Sequence, residues 1–462
     1  MRVFSKILVL LIVFAAVGAW PAAAQKTGNV IFFHPDGAGV NHWGALRFLI
    51  AGPDGELNWD KLPAMAVYKG HMKDALAGTS HGGATVHAYG VKVAADSFGL
   101  DGTKRITAAS GKPISIMQEA KQAGKAIGLI QSGHIAEPGT AAFVASVKSR
   151  SDHDEIARQV IDSGAQVVMA GGEKYLLPKD VEGHHGKGAR QDDLNLIERA
   201  RELGYVIVYT REELAALDLA KVDKLLGVFA HSHTFNAGPE EMNQRDDKPN
   251  YEASAPTIAE MAKAALAILS RAPEGFLLVA EEEGTDNMAN ANNAGGELQA
   301  LARADEAIGV FQKFVEENPD TLMVMAADSD AGGMQIITPG PWRDKEGAES
   351  GAWPGGFKID PDRPLPPTDI NGAPLDGLHG TSSKPFMSAP DRAGKSWPFA
   401  VVWATRYDTS GAILVRGTGL NSDRIKGVMD NTEIYELMYL TLFGREAELA
   451  AAETGDQPAS GE

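Results

Sequence analysis

Asp36 follows an apolar run, Asn29-Val30-Ile31-Phe32-Phe33-His34-Pro35, and precedes Gly37-Ala38-Gly39. That pattern puts a carboxylate at the end of a buried strand, beside glycines that let backbone and ligands approach closely. Taken alone, Asp36 could equally cap the next helix. The pattern recurs twice, however. An apolar run at 276–279 leads into Glu281-Glu282-Glu283-Gly284-Thr285-Asp286, and another at 322–327 leads into Asp328-Ser329-Asp330. Carboxylates at the ends of buried strands are costly when unpaired, and several hard oxygen ligands together imply divalent cations. A different chemistry is written in Gly78-Thr79-Ser80-His81-Gly82-Gly83-Ala84. Its small residues suit a tightly packed helix start, where the dipole favours an alkoxide and an incoming phosphate. Ser80 is the candidate nucleophile and Thr79 the alternative; an ordinary Ser/Thr cap is the commoner role for such a pair.

These residues need strands to carry them. Apolar, β-branched runs predict strands at 30–34, 126–131, 166–170, 205–209, 225–230, 276–280, 322–327, 399–405 and 412–415. Helical periodicity predicts helices over 152–162, 254–269 with Pro256 in the first turn, 297–315, and 431–442 with Asn431 as cap. Strands alternating with helices give one α/β domain with a mostly parallel sheet, whose ligands gather beyond the carboxyl ends of the strands. Residues 237–251 are polar and read as a loop. Residues 339–398 are rich in Gly, Pro and Trp and read as a long loop or insert near one rim. Residues 444–462 read as a frayed tail.

Residues 1–24 have the layout of a secretory signal peptide: Arg2 and Lys6, an apolar stretch over 7–20, then Ala22-Ala23-Ala24. The expectation is a periplasmic or secreted protein with no membrane anchor after cleavage. The 462 residues contain no cysteine, which excludes disulfides, thiolate ligands and a cysteine nucleophile. A net charge of −18 argues against a nucleic-acid surface, though a small phosphorylated substrate sees only the local field of its pocket.

Over 29–443 the chain resembles the alkaline phosphatases. Asp36-Gly37-Ala38-Gly39 is similar to the family's Asp-Gly-Met-Gly, and Ser80 through Gly90-Val91-Lys92 to its nucleophile helix. Thr140 through Arg150 resembles the segment ending in the phosphate-binding arginine, and His379-Gly380-Thr381 the late metal-ligand block. The blocks 225–229 and 256–261 are also similar. The resemblance implies a three-layer αβα domain over 25–443, with helices on both faces of the sheet. It implies a phosphate monoester hydrolase that works through a phosphoserine at Ser80, with Arg150 binding the phosphoryl group. One metal of a pair would use Asp36, Ser80 and Asp328, the other Asp286 and His379; a third, Mg-like site would use Asp36, Glu137 and Glu281. Asn290 and Ser329 stand where the family has histidine, and the third site's usual Thr aligns with Gly139, with Thr140 one place off. Two or three divalent ions are expected, with Mg first and Zn, Ca or Mn open at the pair; lost imidazoles favour Mg, Ca or Mn. His34, His42, His81 and His87 are nearby histidines that could compensate. Phosphorylated small molecules are the expected partners, and a homodimer is left open. The alternatives are a diesterase or sulfuryl esterase on the same fold, and a non-catalytic binding protein that has kept it.

Overall fold

The computed structural model of the chain describes residues 27–338, 359–369 and 371–447. The expected signal peptide lies outside these residues, as do most of the tail and residues 339–358 of the expected insert. Ten strands form one sheet in the order Val428–Asp430, Ala64–Lys69, Leu414–Gly419, Thr321–Met325, Asn29–Pro35, Phe276–Glu282, Ala126–His134, Val167–Gly171, Leu225–Val228, Val206–Val208. Only Leu414–Gly419 runs antiparallel to its neighbours. The large, mostly parallel sheet is the expected one.

Strand Asn29–Pro35 explains why its sequence is continuously apolar. Val30 and Phe32 enter the core shared with helices Ser80–Tyr89 and Asn431–Phe443, while Ile31 and Phe33 enter the core shared with Ile258–Leu269 and Ala294–Glu317. A strand covered on both faces must be apolar at every position. Burying each such side chain contributes about 1.5–3 kcal/mol.

Helix starts are set by side-chain caps. Thr257, not Pro256, opens Ile258–Leu269, through a reciprocal pairing with Glu260. Asp430, not Asn431, caps Asn431–Phe443, paired with Glu433 in the same way. The polar stretch 237–251 contains a helix, Glu240–Arg245. Val428–Asp430 is the short edge strand, and Ala64–Lys69 beside it alternates buried and exposed positions, so neither has the buried-run signature and Met65, Val67 and Val428 stay exposed. Strand Pro398–Trp403 belongs to a second, small sheet with Met334–Ile337, Leu375–Gly377, Gly380–Thr381 and Phe386–Met387. The segment expected to be a loop therefore supplies several short strands.

Candidate metal centre and nucleophile

Four adjacent parallel strands end at one rim and deliver acid there. Asp36 follows Asn29–Pro35, Asp328 lies just beyond Thr321–Met325, Glu281 sits in the end of Phe276–Glu282, and Glu137 lies just beyond Ala126–His134. Helix Gly284–Asn290 adds Asp286. Gly37, at φ 67°, makes the turn that brings these groups together; a Cβ there would lie 2.9 Å from Asp286 Oδ1.

The cluster is buried and short of partners. Both carboxylate oxygens of Asp36, Glu281 and Asp328, one of Glu283, the Ser329 hydroxyl and His34 Nε2 are buried without a hydrogen-bond partner. Each such charge costs on the order of several kcal/mol unless compensated. Burial foremost, and then neighbouring carboxylates, push Asp286, Asp328 and Glu283 well above the usual carboxylate range. Burial also raises Glu281, to about 8; His34 opposes the rise, while Asp36 and Glu137 add to it. Asp36 goes the other way: burial acts to raise it, but His34 outweighs that and holds it low. Converging, unpartnered oxygen donors of this kind fit divalent cations.

Of the four nearby histidines, His34 alone is ideally turned to serve them. His34 Nδ1 bonds the Ala326 carbonyl at 2.8 Å, and Nε2 stands 3.2 Å from Asp36 Oδ1 and 3.9 Å from Asp328 Oδ1. Donation from Nδ1 to a carbonyl leaves Nε2 free as a ligand, an arrangement common among metal-binding histidines. Without a cation, burial acts to lower His34 but Asp36 outweighs it, and its pKa rises to about 9. His42 spends both nitrogens on Glu297 and Asp330, at 2.8 and 3.0 Å. His87 bonds the Tyr68 hydroxyl at 2.9 Å, and His81 reaches Asp96 at 3.2 Å.

The two hydroxyl candidates separate by geometry. Thr79 is the cap of helix Ser80–Tyr89: its Oγ1 accepts from the Gly82 N–H at 3.1 Å and donates to the Ala95 carbonyl at 2.6 Å. Ser80 is the first helical residue, and its side chain is close enough to Asp36 to help hold that carboxyl low. Arg150 leans over the cluster with Nη2 3.1 Å from Glu137 Oε2, within the field of Asp36, Glu283 and Asp286.

Several expected ligands fall elsewhere. His379 is exposed in the turn between Leu375–Gly377 and Gly380–Thr381, a hairpin held by Thr381 on Glu241. Among the described residues, no hydrogen bond or ion pair ties its side chain to the cluster. Asp408 lies beside Asp286: the Asn290 amide nitrogen donates to Asp408 Oδ1 at 2.9 Å and to Asp286 Oδ1 at 3.0 Å. Asn290 Oδ1, the atom that could ligate, accepts from the Gly332 N–H at 3.1 Å. Asn290 is thus a buckle between two carboxylates. Ser329 lies beside Asp408. Thr140 is engaged by Gln131, and Gly139 backs onto Glu281, where a Cβ would sit 1.7 Å from Oε1. Glu137 faces His134, His233 and Arg150; burial acts to raise it, yet these three hold it down to about 2. The donor set that includes Asp36 and Glu281 is completed by His34 instead. Asp408 was missed because it lies several residues beyond strand Pro398–Trp403, in a short strand whose partner is Asp330–Ala331.

The family model for alkaline phosphatase matches residues 27–350. The rat tissue-nonspecific alkaline phosphatase is 30% identical over 337 residues, 65% of this chain and 62% of that protein. The Gadus morhua alkaline phosphatase is 31% identical over 344 residues, 66% of this chain and 69% of its own length. This chain therefore spans a little under two thirds of the rat relative. Among solved structures, Thermus thermophilus alkaline phosphatase superposes with a TM-score of 0.68 at 22% identity, covering 95% of this chain and 96% of that one. The enzyme from the Antarctic bacterium TAB5 gives 0.66 at 17%, covering 91% and 99%. At these identities the superpositions show the fold, and the sequence match carries the relationship: the chain belongs to the alkaline phosphatase family.

Proposed function

We propose that the protein is an exported hydrolase of phosphate monoesters that works through a phosphoserine at Ser80. The observation that carries this reading is the juxtaposition of a hydroxyl at a helix N-terminus with a buried set of unpartnered carboxylates, beneath an arginine. Asp36, Asp328, Ser329 and Ser80 would hold one cation, Asp286 and Asp408 a second, and Asp36, Glu281 and His34 a third. When bound, divalent cations favour the serine alkoxide and offset charge on the phosphoryl oxygens. Ser80 Oγ forms the new bond to phosphorus as the ester oxygen leaves, and water then releases phosphate from the serine. Arg150 clamps two phosphoryl oxygens with its planar fork. Glu137, on Nη2, holds that fork in place.

The donor set is rich in oxygen, which suits Mg, Ca or Mn better than zinc. A solved mutant of the TAB5 enzyme holds Mg in its M3 site, which supports Mg as one of the ions here. Export rests on residues 1–24; among the described residues no helix is long and apolar enough to cross a membrane. The test is hydrolysis of an aryl phosphate by chelated protein resupplied with each cation. Activity restored by Mg, Ca or Mn at least as well as by zinc, and abolished in Ser80→Ala, is expected. Full activity from zinc alone, or an active Ser80→Ala, would overturn the reading.

A further inference from the structure

Around Glu137, the carboxylate that holds Arg150, stand two imidazoles that phosphoryl transfer does not use. His134 ends strand Ala126–His134, and Glu137 follows in the turn closed by its N–H on the His134 carbonyl. His233 arrives from beyond strand Leu225–Val228, and its neighbour Thr234 is pinned to the Ser132 carbonyl through both N–H and hydroxyl. Two backbone segments are thus fixed around one point. His134 Nε2 lies 2.9 Å from Glu137 Oε1, and His233 Nε2 lies 3.8 Å from the same oxygen. The two rings are 4.7 Å apart and backed by Tyr175 and Phe235.

An ordinary hydrogen bond from His134 to Glu137 would account for the first contact. It does not account for a second imidazole presenting the same nitrogen to the same oxygen, when Arg150 already holds Oε2 at 3.1 Å. Ligand atoms around a tetrahedral zinc, with bonds of about 2.0–2.1 Å, stand about 3.3 Å apart. The observed separations of 2.9 and 3.8 Å bracket that value, and all three donor atoms lie within 4.8 Å of one another.

We propose that His134, Glu137 and His233 form a site for a borderline divalent transition metal, zinc first, separate from the oxygen-rich centre. Two imidazoles with one carboxylate select zinc, cobalt or nickel over Mg and Ca. The carboxylate of Glu137 then bridges, with Oε1 on the metal and Oε2 on Arg150, so the metal helps to set the position of the arginine. The site does not depend on the phosphatase reading, since its readout is metal content.

The experiment uses the full chain, stripped with chelator, returned to excess Mg and titrated with Zn(II) or Co(II), with metal counted after dialysis. The wild type should retain one zinc that Mg does not displace, and so should Asp286→Asn and Asp328→Asn. His134→Ala and His233→Ala should each weaken zinc by at least the roughly 10–100-fold that follows loss of an orienting partner alone. His233→Asn, with circular dichroism on every variant, guards against misfolding. Unchanged zinc retention in folded histidine variants, or no zinc retained by the wild type in Mg, would overturn the proposal. Failure of hydrolysis in the preceding test would leave this result unaffected.

Discussion

Asn290→Ala isolates what the buckle does. Its amide nitrogen lies 3.0 Å from Asp286 and 2.9 Å from Asp408, so the two bonded oxygens are at most roughly 6 Å apart. At an effective dielectric of about 20, two carboxylates at that separation would repel by about 3 kcal/mol when both are ionised, a cost that goes with the upward push on both groups. The wild type offsets this with two hydrogen bonds to charged groups, each worth about 1.5–3 kcal/mol. The variant loses both bonds and also leaves the Gly332 N–H without its acceptor. The chelated variant should therefore lose about 3 kcal/mol or more of stability relative to chelated wild type. A cation between Asp286 and Asp408 opposes the same repulsion, so millimolar Mg or Ca should recover much of the difference. Chemical denaturation with and without chelator measures both quantities. An equal loss in the two conditions, or no loss in chelator, would refute the view that Asn290 holds two metal-binding carboxylates together.

Other outcomes follow from single residues. Gly139→Ala should cost about 1–3 kcal/mol by overpacking, since its Cβ meets Glu281; a variant that melts like wild type would mean that Glu281 moves freely. Arg150→Ala should weaken inhibition by inorganic phosphate by about 1.5–3 kcal/mol, read from inhibition constants; an unchanged constant would make Arg150 structural. Chelated protein should lose stability as pH rises from 5 to 9. Glu281, raised to about 8, favours its neutral form in the fold, so its penalty grows from the unfolded carboxylate range up to about 8. His34, raised to about 9, contributes stability that is full below its ordinary value and lost as pH passes 9. Asp36 and Glu137 are held low, so their contribution disappears only in acid. Melting across that range in chelator and in Mg checks the sign, and stability rising with pH in chelator would contradict it.

Much of the fold was legible because strands covered on both faces must be apolar throughout. The runs that become Asn29–Pro35, Phe276–Glu282 and Thr321–Met325 announce themselves, and so do the carboxylates that follow them. Ala64–Lys69 and Val428–Asp430 did not, because strands with one face open to solvent need no such run. Ligands brought in by the late loops were the hardest to read. His379 matches the expected block by residue type, but it is exposed in a hairpin tied to Glu241. Asp408 is recruited through the pairing of Asp408–Thr409 with Asp330–Ala331, a long-range contact that no local pattern specifies. The role of Asn290 was hidden for a similar reason, since its partners Asp408 and Gly332 are distant in sequence.

Phosphorylation of Ser80 beside an oxygen-rich cation centre is tested by peptide mass spectrometry of Mg-loaded protein, quenched in acid during turnover of an aryl phosphate. One phosphoryl group on Ser80 is expected, absent from Ser80→Ala and from protein kept in chelator. A phosphoryl group on Thr79, or steady hydrolysis with Ser80 unmodified at every quench time, would contradict it.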